Sequence, residues 1–136
     1  MRSVARYRVL YGDTDQMGYL YYGNYMRLFE IGRAEWIRAA GGTYHSMERA
    51  GTFLPVVEAF ARYKLPARYD DVIDIRAQPA EVRRASVRFE YALHRADGGD
   101  LLAFGHTLHA FTGADGRPKR MPEDILRLLG GENHGS

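Results

Sequence analysis

Polar and apolar residues alternate from Val4 to Tyr11, with Tyr7, Val9 and Tyr11 on one face and Arg6 and Arg8 on the other. That period of two predicts a half-buried strand. Gly12 to Tyr22, which holds Gly12, Gly18, Asp13 and Asp15, reads as a long loop. From about Gly23 to Ala40 the period lengthens to that of a helix. Tyr25, Leu28, Phe29, Gly32, Trp36, Ala39 and Ala40 share one face, opposite Arg27, Glu30, Glu35 and Arg38. Gly32 lowers helix propensity in the middle of the apolar face, which predicts that another backbone or a sheet packs close there. Gly41-Gly42 ends the helix.

A short helical turn is expected over Tyr44–Ala50, and strands follow. Phe53–Leu65 is a strand closed by Pro66; Val72–Val82 is another; residues 86–94 alternate cleanly, with Val87, Phe89, Tyr91 and Leu93 inward. Ala96-Asp97-Gly98-Gly99-Asp100 is a hairpin turn leading into Leu101–Thr112, and Gly113–Gly116 is a second turn. Met121-Pro122-Glu123 opens a last helix ending near Leu129, with Pro at its favoured first position, and Gly130–Ser136 reads as a frayed tail. One long helix, an N-terminal strand and four mostly sequential antiparallel strands make an α+β subunit. A single sheet needs cover for its second face or its edges, so a homodimer or homotetramer is expected.

With 136 residues, 46% hydrophobic and 26% charged, the chain fits a single globular domain over 1–136. It has no cysteine, which removes disulfides, thiolate metal sites and a Cys nucleophile. It also has no apolar run of membrane-spanning length and no signal-like N-terminus, so a cytoplasmic protein without membrane contact is expected. Of 19 basic residues only Lys64 and Lys119 are lysines. Arginine suits phosphate and carboxylate, but the arginines are interspersed with acids, which argues against nucleic acid as a partner.

The chemistry concentrates in Tyr11-Gly12-Asp13-Thr14-Asp15-Gln16-Met17-Gly18, just ahead of the long helix. A helix N-terminus offers unpaired N–H groups to a developing oxyanion, and a nearby carboxylate completes a minimal apparatus for acyl transfer to water. The alternative is that Asp13 and Asp15 only shape the loop through Asx turns. An Asp-x-Asp, Mg²⁺-dependent phosphatase needs a parallel sheet, and a calcium loop needs Gly and Glu at later positions that this chain lacks. His106 and His109 are three apart in one strand and face opposite ways, and His45, His94 and His134 are scattered, so no metal site is expected.

The motif Tyr-x-Asp-Thr-Asp-x-x-Gly, followed by Asn24-Tyr25 and a helix, resembles the hot-dog-fold thioesterases. Within them it is similar to the 4-hydroxybenzoyl-CoA thioesterase and YbgC-type acyl-CoA thioesterase group, from about Tyr7 to Leu129, including Tyr69-Asp70-Asp71-Val72 and Arg83-Arg84. The resemblance implies an antiparallel sheet wrapped around one central helix and hydrolysis of an acyl-CoA, with the CoA thioester as substrate and no cofactor. It implies Asp15 as nucleophile or general base, the backbone N–H groups of Tyr22 and Gly23 as the oxyanion site, and Tyr11 as an aromatic that orients the carboxylate. Arg83 and Arg84 would contact the CoA phosphates, although the third basic position of that stretch is Ala85 here. YbgC-type proteins usually carry His at this position, whereas this chain has Tyr22, as the hydroxybenzoyl enzyme has Tyr. Glu30 and Glu35, whose helical position another hot-dog clade uses for its carboxylate, fall on the polar arc. Tyr19, Tyr21, Tyr22 and Tyr25 read as core and subunit contacts that could also line an acyl pocket. A carrier-protein thioesterase and a non-catalytic acyl-CoA-binding or assembly protein are the alternatives; a carboxylate aimed at the thioester favours the enzyme.

Overall fold

The computed structural model describes residues 1–130, which form five antiparallel strands and three α-helices. The strands are β1 (Ser3–Arg8), β2 (Val56–Tyr63), β3 (Val72–Val82), β4 (Ser86–Arg95) and β5 (Leu101–Ala110). The helices are α1 (Tyr25–Ala39), α2 (Tyr44–Arg49) and α3 (Glu123–Leu128). The β3-β4-β5 meander follows the sequential reading. β2 instead crosses to the far edge to pair with β5, giving the order β1-β3-β4-β5-β2. The sheet curls around α1 with Val87, Phe89, Tyr91 and Leu93 buried on its inner face, and one continuous core runs from Val9 to Leu129.

Several expected boundaries shift for identifiable reasons. β1 stops at Arg8 because Leu10–Asp13 tightens into a 3-10 turn, held by a hydrogen bond from the Leu10 amide to the Asp13 carboxylate (2.9 Å). Tyr11 is thereby turned off the buried face and stands 79% exposed. β2 begins at Val56 rather than Phe53, after Pro55, which has no N–H for the ladder. A 3-10 turn over Tyr22–Asn24 precedes α1. On α1 the buried positions are Tyr25, Leu28, Phe29, Gly32 and Ile37, while Ala39 and Ala40 are exposed. Ile37 replaces them because the chain after α1 folds back at Gly42 and is met there by Leu128 of α3. Pro122 caps α3 from the residue before its first turn. Gly130, expected in the tail, closes α3 by donating to the Arg127 carbonyl (3.0 Å) at φ 77°. The rest of that tail, with His134, lies outside the described residues.

Two glycines set how closely the layers approach. A Cβ on Gly32 would stand 2.9 Å from Ile75 Cγ2 and 3.3 Å from Ala77 Cβ, so α1 lies against β3 as the glycine predicts. A Cβ on Gly105 would fall 2.0 Å from the Phe60 carbonyl oxygen and 3.0 Å from Phe29. Only glycine at that point lets β2 pair with β5 while Phe29 stacks on Tyr91 (4.4 Å).

One polar chain crosses the core. Arg33 Nη1 donates to the Tyr91 hydroxyl (3.4 Å), Tyr91 and Thr107 hydroxyls share a bond (2.5 Å), and Thr107 meets His109 Nε2 (2.8 Å). His109 Nδ1 lies 3.0 Å from the Leu54 carbonyl. A carbonyl only accepts, so Nδ1 carries the proton and Nε2 accepts from Thr107. Burial, opposed by the bond to Leu54, pushes the His109 pKa down from 6.5 to about 4. The unfolded chain therefore binds a proton that the fold refuses. This contribution to stability is complete above pH 6.5 and is lost as pH falls toward 4. Urea unfolding at pH 7 and pH 4.5 should show a loss of about 2 kcal/mol from this residue. His109→Gln, less stable at pH 7, should show a shallower pH dependence; an unchanged slope would contradict a neutral buried imidazole.

Candidate active site

The two aspartates of the loop have opposite surroundings. Asp13 is 9% exposed and its carboxylate is fully engaged. Oδ2 accepts from the Tyr7 hydroxyl (2.6 Å) and the Leu10 amide (2.9 Å), and Oδ1 accepts from Arg27 Nη2 (3.1 Å). Arg27 also bonds the Tyr7 hydroxyl (3.2 Å) and lies over its ring (5.1 Å). The Asp13 carbonyl accepts from the Tyr21 amide and from Asn24 Nδ2, both at 2.9 Å. One residue thus ties β1, the loop and the start of α1 together. Burial pushes its pKa up, but the bonds from Tyr7 and Leu10 and the Arg27 charge outweigh this and hold it below 3.8.

Asp15 is only half-buried. Its Oδ1 accepts from the amides of Met17 (2.9 Å) and Tyr19 (3.1 Å), an Asx-type turn that fixes the carboxylate plane. Asp15 and Tyr19 are also bonded through their backbones (2.8 Å), and Gly18 at φ 80° makes the reversal possible. No hydrogen bond occupies Asp15 Oδ2 among the described residues. The Asx turn weighed from the sequence is real, and it leaves one oxygen available.

Asp15 lines a cavity of about 340 Å³ together with Tyr19, Tyr22, Tyr25, Tyr63 and Lys64. Tyr22 and Gly23 open the 3-10 turn that leads into α1, and as first residues of a helix their N–H groups have no intrahelical partner. The N-terminal partial charge of the helix is directed to the same end. A Cβ on Gly23 would lie 2.5 Å from the exposed ring of Tyr21, which folds against Tyr22 at a ring separation of 4.6 Å and would have to shift. The opposite wall is held by a latch. Arg95 pairs with Asp71 and donates to the Pro66 carbonyl (3.2 Å), while Asp71 accepts from the Arg68 amide (2.8 Å). The Ala67 carbonyl then accepts from Leu20 (2.7 Å), which fastens the Asp15 hairpin to this segment.

The fold brings Asp15 and Tyr22 to one cavity, with Gly23 next to Tyr22 in the turn. It does not bring Tyr11 to Asp15: the Tyr11 ring packs edge-on against Tyr69 at 5.7 Å, and backbone amides orient the carboxylate. Arg83 and Arg84 lie at the β3–β4 turn, roughly 35 Å along the 11-residue β3 from the end nearest Asp15. Arg83 is paired with Glu81 (3.0 Å). Glu35 pairs with Arg38, Glu30 is exposed, and no cluster of metal-binding side chains occurs among the described residues. Sequence reasoning missed Tyr63, Lys64 and Leu65, which enter only through the crossover of β2. It also missed the Asp71–Arg95 latch, which joins residues 24 apart in the chain.

Because Asp13 holds three segments through satisfied bonds, Asp13→Asn should cost about 2 to 4 kcal/mol of stability. The loss should begin to shrink only as pH falls below 3.8, where the unfolded carboxylate takes its proton, and should be gone once the folded carboxylate, held lower, is protonated as well. Denaturant unfolding of the variant across that range checks this, and a wild-type-like midpoint at pH 7 would contradict it.

The sequence matches the thioesterase-like superfamily over residues 9–129. A crystal structure of a hypothetical protein from Thermus thermophilus superimposes with a TM-score of 0.89 at 37% identity, covering 95% of this chain and 98% of that one. The acyl-CoA thioesterase YbgC of Haemophilus influenzae is 33% identical over 89 residues, 65% of each chain. The 4-hydroxybenzoyl-CoA thioesterase of a Pseudomonas species is 28% identical over 145 aligned positions, covering 93% of this chain and 97% of that enzyme. With its five-stranded sheet curled around α1 and its loop aspartate set at the helix start, the chain belongs to the thioesterase-like superfamily and has the hot-dog fold.

Proposed function

We propose that this protein hydrolyses acyl-CoA thioesters to the free acid and CoA, with Asp15 as its chemical carboxylate. The observation that carries this reading is the division of Asp15: one oxygen clamped by two amides, the other unbonded, in a cavity shared with the start of α1. A thioester carbonyl placed there accepts from the Tyr22 and Gly23 N–H groups, which stabilise the oxyanion as it forms. Asp15 either adds to the carbonyl carbon itself or takes the proton from a water that adds. The tetrahedral intermediate collapses by breaking the C–S bond, and the thiolate, a good leaving group, departs without strong acid assistance. Water supplies the oxygen of the acid and the proton that ends on the thiol. Superfamily relatives named acyl-CoA and hydroxybenzoyl-CoA thioesterases favour CoA over a carrier protein as the thiol.

A second copy of the chain completes the site in this reading. β2 is an edge strand, unpaired on one side among the described residues, with the apolar side chains of Val56, Val57, Phe60 and Tyr63 exposed along it on both faces. Two such edges pairing antiparallel set the end of one β2, at Tyr63 and Lys64, against the start of the other. The β3–β4 turn of the second copy, with Arg83 and Arg84, then comes to the sheet end that holds Asp15. Arginines too distant within one chain are thereby available to the CoA phosphates across the pair.

Thiol release should be followed for short, medium, long and 4-hydroxybenzoyl CoA esters with wild type beside Asp15→Asn. Hydrolysis of at least one class, reduced about 10³-fold or more in the variant, is expected. A near-normal rate in Asp15→Asn would overturn the assignment.

A further inference from the structure

Arg33, midway along α1, is a partly buried cation whose partners are neutral. Its Nε donates to the Tyr44 hydroxyl (2.9 Å) and its Nη1 to the Tyr91 hydroxyl (3.4 Å). No carboxylate lies within 4.0 Å of it among the described residues. Burying a guanidinium without a counter-charge is costly, and arginines are rarely left so. Arg33 lines a cavity of about 650 Å³ whose apolar wall includes Ala34 and Leu54. The other charged or titratable groups there are Arg38, which Glu35 already pairs, and Glu30, Glu48 and His45, all exposed. Tyr44 accepts from Arg33, so its own proton is free to be donated to something else.

Leu54, just before β2, lines this cavity, and Tyr63, at the end of β2, lines that of Asp15. Tyr25, Phe29 and Arg33 form one i, i+4, i+8 stripe of α1, in which Tyr25 lines the Asp15 cavity and Phe29 is fully buried beneath, stacked on Tyr91. The rise of the helix separates Tyr25 from Arg33 by about 12 Å, the scale of a medium-length acyl chain. Beside that stripe the inner face of β2 is poorly covered: Val56 and Ala59 are exposed and Ala61 is half-buried, up to Tyr63, which leans on Tyr25 at 4.7 Å.

We propose that the acyl group runs from Asp15 along this strip and ends in a carboxylate held by Arg33 and Tyr44. The substrate is then a medium-chain acyl-CoA with a carboxylate at its far end, an assignment that rests on the thioesterase reading above. A carboxylate supplies the missing counter-charge and accepts both from the guanidinium fork and from the tyrosine hydroxyl, whereas a methyl terminus leaves the cation unpaired.

Octanoyl-CoA and suberyl-CoA differ only in ending in a methyl or a carboxylate, and thiol release from the two gives the preference directly. Wild type should favour suberyl-CoA in kcat/KM by about 10- to 100-fold. The ratio should fall toward one in Arg33→Gln, be partly kept in Arg33→Lys, and drop severalfold in Tyr44→Phe. Because each variant is its own control, a loss of folded protein does not move the ratio. Equal or better turnover of octanoyl-CoA by wild type would overturn the proposal, as would an unchanged ratio in Arg33→Gln. Thiol release from neither ester nor from any other acyl-CoA would contradict the thioesterase reading itself, and the proposal with it.

Discussion

A carboxylate drawn out of water must find donors for both oxygens, and Asp13 finds them on three different segments. Tyr7 comes from β1, Leu10 from the turn that ends it, and Arg27 from the first turn of α1. These bonds fix where the strand stops and where the helix begins, and the Asp13 carbonyl pins Tyr21 and Asn24 in the same register. The Asp15 turn hangs between these anchors, so its carboxylate is placed by a neighbour two residues away. Removing the anchor would leave the pieces of the candidate site intact in sequence but unplaced in space.

Two identical side chains in one loop thereby take different work. Asp13 is saturated with donors and has nothing left to offer a substrate, while Asp15 keeps an oxygen unbonded beside the helix start. The amides that hold Asp15 come from its own turn, so its orientation survives without any aromatic partner. The opposite wall depends on Asp71 and Arg95, whose pairing fastens the Pro66–Asp71 segment over the cavity. The site is therefore built where two loops held by side-chain and backbone hydrogen bonds meet.

Much of this was legible in the sequence because local physics determines it. Alternation along 72–82 and 86–94 marks two strands to within a residue, and the 96–100 turn joins strands that do pair. Gly32 announced a close approach, which Ile75 and Ala77 make. The loop motif and its resemblance pointed to Asp15 beside Tyr22. What local pattern could not show depends on the crossover of β2, which pairs Ala61 with Gly105 and brings Tyr63 and Lys64 to the cavity. Tyr11 was misplaced for a related reason. Its alternation continues that of β1, but the bond from Leu10 to Asp13 breaks the strand first. The distance between Asp15 and the Arg83–Arg84 turn is likewise a property of the folded sheet, invisible in the chain.

The central claim is that Asp15 performs chemistry and does not build the cavity. Calorimetric titration of an intact acyl-CoA substrate into Asp15→Asn tests it most directly, since the substrate persists if the chemical step is lost. Binding within a fewfold of the wild-type affinity for a non-hydrolysable thioether analogue is expected, with the thioester recovered unchanged. Loss of binding together with loss of turnover would contradict it and make Asp15 a structural residue of the loop.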